Sequence, residues 1–104
     1  MKLITIAPVD NQKFSLDLEN GNYFFKLRDT GVTGVFLDVY RSTSPLITGI
    51  LCLDRVRLIR LAYKRFPGDL VFVDQYGFDN PNYPYFGSRF LLFYIDKDEE
   101  KEFL

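Results

Sequence analysis

The chain has 104 residues, 47% of them hydrophobic and 26% charged, which is enough for one folded domain and too little for two. Its formal charge of −1 is not that of a nucleic-acid binder as a whole, and its single cysteine, Cys52, excludes an internal disulfide framework and a cysteine-based zinc site. Histidine is absent, which removes the commonest general base and the Ser-His and Cys-His nucleophile pairs.

In chain order, MKLITIAPVDNQ predicts a short strand stopped by Pro8 and an Asp-Asn turn. KFSLDL then alternates, with Phe14, Leu16 and Leu18 on one side and Lys13, Ser15 and Asp17 on the other, the pattern of a half-buried strand. Asn20-Gly21 follows and predicts a type I′ hairpin from about Lys13 to Arg28. After the RDTGVTG turn, VFLDVYR places Val35, Leu37 and Val39 on one face and Phe36, Asp38 and Tyr40 on the other.

LITGILCL is apolar at both parities, which predicts a central strand, with Gly49 marking a bulge or a close backbone approach and Cys52 a buried thiol. DRVRLIRLAYKRF fits neither helical nor strand periodicity and is expected to be extended and irregular, with a short helix as the alternative. Pro67-Gly68 predicts a turn, DLVFVD a buried strand and SRFLLFYI the last strand. Six or seven short strands make an all-β antiparallel sandwich or small barrel, a single domain over residues 1–95.

Residues 96–104, DKDEEKEFL, form a charged tail whose five acids against two lysines carry −3 and leave +2 on the body. The tail is expected to fray or to form a terminal helical turn. No basic-then-apolar leader opens the chain and no apolar run reaches the ~20 residues of a membrane span, so a cytoplasmic origin is expected.

Two stretches invite a functional assignment. Residues 54–65 net +4, and Arg55, Arg57, Arg60, Lys64 and Arg65, interleaved with Tyr63 and Phe66, fit three roles. These are a strip for single-stranded nucleic acid on a small barrel, a solvated edge that resists aggregation, and an arginine rim at a protein interface. The second stretch, YGFDNPNYPYFGSRF at 76–90, holds six aromatics with two prolines. Pro81 and Pro84 stiffen it, so its rings are held at low entropic cost, as anchors at protein interfaces are. Tyr76, Phe78, Tyr83, Tyr85 and Phe86 are the candidate partner-binding rings. The alternative is that Phe78, Tyr83 and Phe86 fold back over one end of the body; both uses are expected, with some rings inside and Tyr85 or Tyr76 outside. Asp74 and Asp79 flank the stretch, but an acid–base pair there is outweighed by the routine use of aspartate in turns.

The ordered set of FPG at 66–68, LVFVD at 70–74, DNPNY at 79–83 and FGSRFLLFY at 86–94 resembles the small baseplate plug proteins of contractile-tailed bacteriophages. More loosely, the resemblance extends back through LITIAPVDNQKFSLDLENGNYFFKLR and covers about nine tenths of the chain. It implies a non-enzymatic, β-rich virion subunit without cofactor or metal, in several copies, docked among hub and tail-tube proteins after assembly in the host cytoplasm. The rival expectation, from the residues alone, is a barrel that binds single-stranded nucleic acid through the basic segment and the rings.

Overall fold

A computed structural model describes residues 2–18, 21–59 and 68–96. Among them are seven strands: β1 (Lys2–Ile4), β2 (Asn11–Leu18), β3 (Gly21–Asp29), β4 (Val35–Arg41), β5 (Ser44–Leu51), β6 (Asp69–Asp74) and β7 (Phe90–Ile95). All pairings between them are antiparallel, in a three-stranded sheet ordered β1-β7-β6 and a four-stranded sheet ordered β2-β3-β4-β5. The fold is all-β, and of the two expected architectures the two-sheet sandwich is the one formed.

Period-two alternation builds the core directly. Tyr23, Phe25 and Leu27 of β3 and Val35, Leu37 and Val39 of β4 are buried, and they join Leu70, Phe72, Phe90 and Leu92 of the other sheet in one cluster. Burying a large aromatic or aliphatic side chain contributes roughly 1.5–3 kcal/mol, so this row dominates stability. Phe14 of β2 stacks on Phe25 with centroids 4.9 Å apart. The hairpin register sets Leu18 opposite Gly21, so Gly21 is already the first residue of the returning strand rather than a central turn position.

The LITGILCL segment departs from expectation. It is not central: among the described residues β5 pairs with β4 alone, and Leu51 is 43% exposed. The reason lies in two register shifts, one between the Leu37 and Val39 pairs and one between the Val39 and Tyr40 pairs. Each inserts an extra residue on β5 and resets which parity faces inward. Leu46, Ile47 and Ile50 therefore all reach the core from a single side. Gly49 lies at the first shift with φ +71, as a bulge glycine should. Cys52, just beyond, is 1% exposed, and burial pushes its thiol pKa up to about 12, so it is an inert core residue.

The four sheet edges are treated unequally. β1 is three residues long, and β5 is bulged and carries Pro45. The open side of β6 is covered by the chain from Asp54 to Ile59: Arg55 N–H donates to the Phe72 carbonyl at 2.8 Å and Leu58 N–H to the Leu70 carbonyl at 2.9 Å. Asp69, fully buried, accepts from Ile59 N–H at 2.7 Å. That covering segment is extended and irregular as far as it is described; Arg60, Lys64 and Arg65 lie outside the described residues, as do residues 97–104 of the tail. β2 is the exception: eight residues without proline or bulge, paired among the described residues with β3 alone.

Candidate functional site

The aromatic stretch connects β6 to β7, and its order begins at the last residue of β6. Asp74 has no exposed side-chain surface. Its Oδ1 accepts from Tyr76 N–H at 3.0 Å and its Oδ2 from Asp79 N–H at 2.9 Å, closing the turn that leaves the strand. Arg89, one residue before β7, grips the same carboxylate with two bonds, Nε to Oδ1 at 2.9 Å and Nη2 to Oδ2 at 2.8 Å. Nη2 also reaches Asp79 Oδ2 at 2.7 Å.

The Arg89 hydrogen bonds hold the Asp74 carboxyl well below the usual carboxylate range; desolvation opposes them, and the Asp79 and Tyr76 amides add to them. Arg89 is raised in turn, chiefly by Asp74. An ionised aspartate with its lone pairs engaged neither takes up nor releases a proton near neutral pH. Asp74 is thus part of the scaffold of the loop, and Asp79 joins it by geometry, through its amide to Asp74 and its carboxylate to Arg89.

Further ties come from three residues elsewhere in the chain, Asp54, Arg55 and Asp29. Asp54 Oδ1 accepts from Asp74 N–H at 2.7 Å, and Asn80 Oδ1 accepts from Asp54 N–H at 3.0 Å. Arg55 adopts a left-handed φ of +58, uncommon for a non-glycine residue, and its guanidinium donates to the carbonyls of Gly77 and Asp74 at 3.0 Å each while pairing with Asp54. The same guanidinium lies 4.8 Å from the centroid of the Phe78 ring, a cation–π arrangement. At the far end, Asp29 of β3 accepts from Tyr83 N–H at 3.0 Å, and a single 3-10 turn at Tyr83–Tyr85 brings Phe86 N–H to the Tyr83 carbonyl at 3.1 Å.

The rings divide sharply. Tyr76 is 76% exposed, Phe78 86%, Tyr85 52% and Tyr83 39%. Phe86 is a correction to the expected set of anchors: at 3% exposure it is core, stacked on Phe72 with centroids 5.7 Å apart. Of the three rings that the fold-back alternative named, Phe86 is the one inside, while Phe78 and Tyr83 are exposed and the Arg55 guanidinium lies against the Phe78 ring. Four of the five candidate rings are thus exposed, on a connection braced from beneath.

Of the basic candidates, Arg57 is half-buried beside Val71, while Arg60 and Arg65 fall outside the described residues. Arg55, from the same basic stretch, is the described residue that joins the basic segment to the rings. Sequence reasoning missed the brace itself. Arg55, Asp29, Asn80 and Arg89 carry no local signal for it, because their partners lie between 10 and 54 residues away.

The model of one protein family, described as cyanophage baseplate Pam3 plug gp18, matches residues 1–98. No curated protein matches the chain.

Proposed function

The chain belongs to the phage baseplate plug family, and from that premise, which makes it a structural component of the virion tail baseplate, we propose that it acts by docking its braced aromatic loop against neighbouring baseplate proteins. The observation that carries this is the pairing of four exposed rings at Tyr76, Phe78, Tyr83 and Tyr85 with a scaffold of buried and charge-assisted bonds beneath them. Ordering an aromatic surface before binding lowers the entropic cost of association, and such rings then act as anchors.

Hub or tail-tube subunits are the expected partners, with docking following synthesis in the host cytoplasm. The work is binding rather than chemistry. Single-stranded nucleic acid, held through the arginines of the basic segment, is the rival ligand; of those arginines, Arg55 is committed to Asp54 and to two loop carbonyls.

The test is the double substitution Tyr83→Ala and Tyr85→Ala in the phage genome, with the purified variant checked by thermal melting. A variant that melts like the parent yet fails to enter tails supports docking, and each lost anchor of about 2 kcal/mol corresponds to roughly thirtyfold in affinity. Normal tails from the folded variant would overturn the proposal. Binding to a single-stranded oligonucleotide that collapses between low and moderate salt would favour the rival.

A further inference from the structure

The bare edge of β2 is a second interaction surface, and we infer that it pairs with the β2 edge of a second copy of this chain, antiparallel and centred on Ser15. The inference stands on this edge alone and is independent of the aromatic loop.

The first observation is which backbone groups are free. Asp29 N–H donates to the Asp10 carbonyl at 2.8 Å, so the 10–29 pair is of the hydrogen-bonded type. The continuous register from Asn11↔Arg28 to Leu18↔Gly21 then makes 12–27, 14–25, 16–23 and 18–21 hydrogen-bonded pairs as well, because the two types alternate. The N–H and C=O groups of Asn11, Lys13, Ser15 and Asp17 therefore point away from β3. All four residues are exposed.

The second observation is the sequence order along that edge. A two-fold axis through Ser15 sets Lys13 opposite Asp17 of the second copy and Asp17 opposite its Lys13. On the inner face it sets Phe14 against Leu16. These pairs agree with the parity of the free groups, since 13–17 and 15–15 are the hydrogen-bonded pairs. Moving the axis to position 13 or 17 sets like charges opposite each other, Lys13 on Lys13 or Asp17 on Asp17. An axis at position 14 or 16 sets Ser15 opposite one of the two charges instead. Among residues 11–18, only the Ser15 register gives both charges an opposite partner.

The third observation is what the isolated edge leaves incomplete. Lys13 faces Lys26 across β2 and β3, an unfavourable like-charge pair, and neither Lys13 nor Asp17 has an ion-pair partner among the described residues. Phe14, Leu16 and Leu18 pack on the core but are only partly buried. A second β2 would bring a carboxylate to Lys13 and apolar cover to Phe14 and Leu16. The other three edges are short, bulged or covered, which are the usual ways of preventing such pairing. β2 has none of these devices, and the pairing would join two four-stranded sheets into one.

Sedimentation equilibrium on the full chain, from about 10 μM to about 1 mM as suits so small an interface, tests this. A reversible monomer–dimer equilibrium is expected. Ser15→Pro, which removes an outward N–H that the fold does not use, should leave the melting temperature in place and abolish the dimer. Lys13→Asp and Asp17→Lys should each weaken association about tenfold through two like-charge pairs per dimer, and the double swap should restore it. A chain that is monomeric throughout overturns the inference. So does a dimer that survives Ser15→Pro, or single reversals that the double swap fails to rescue.

Discussion

Two aspartates in this protein are each gripped by one arginine through two bonds, Asp38 by Arg28 and Asp74 by Arg89, yet the pairs do different work. Arg28 donates from Nε at 3.1 Å and from Nη2 at 3.0 Å to Asp38 on the outer face of the four-stranded sheet, and Gly49 N–H adds a bond of 2.7 Å that anchors the β5 bulge. Apart from that bulge, those strands are already joined by the backbone ladder, so the pair reinforces an existing structure. Asp74 and Arg89 sit at the last rung of the β6–β7 ladder, with Asp74 opposite Phe90, where strand pairing gives way to the connection. They define the path of the connection that presents the rings. The same chemical device is an accessory on a sheet and a framework in a loop, and the difference is set by whether the backbone is otherwise satisfied.

The comparison breaks most severely at Asp74→Asn. The substitution weakens two charge-assisted bonds at a fully buried site and leaves Arg89 with Asp79 as its remaining carboxylate partner. It should give the largest fall in melting temperature of this set, and hydrogen exchange should speed up at the Tyr76 and Asp79 amides.

Asp38→Asn should cost less, about 1–2 kcal/mol, because Arg28 is more than a third exposed and the interaction is screened. Denaturant unfolding would measure it, and the Tyr76 and Asp79 amides should exchange at the parental rate. Equal losses from the two substitutions would end the distinction.

Acid sharpens the same contrast. Both carboxyls are held below their ordinary range in the folded chain, Asp74 by Arg89 first and Asp38 by Arg28 first. Below about pH 4 the unfolded chain binds these protons while the folded chain resists them, so stability is fully present above that value and declines as pH falls further. Melting temperatures taken between neutral and strongly acid pH should show this decline flattened in Asp74→Asn, and flattened less in Asp38→Asn.

The smallest effects belong to the presented surface. Tyr76→Ala and Tyr85→Ala remove rings that are more than half exposed, and each should change stability by no more than about 0.5 kcal/mol in the same denaturant assay. A larger loss would mean that the rings belong to the framework rather than being carried by it.

Much of the β architecture was legible in the sequence because strand burial has a short period. Phe14, Leu16 and Leu18, and then Val35, Leu37 and Val39, announce their faces within a few residues of chain. β5 misled because a bulged edge and a strand buried on both sides leave the same trace, an apolar run without alternation. For the site, proline spacing and ring density singled out the right stretch, but not which rings look outward. Phe86 and Phe78 are eight residues apart in one loop, and one is core while the other is 86% exposed.

The amino-acid sequence by itself determined an all-β single domain with its core rows, a buried unreactive cysteine and a stiff aromatic connection before the last strand, all consequences of local pattern and residue chemistry. Only the tertiary structure decided that β5 is an edge and β2 a bare one, and that Asp74 is a brace. It also decided that Arg55 joins the basic segment to the rings. Each of these depends on groups far apart in the chain meeting at hydrogen-bond distance, and no local pattern records such meetings.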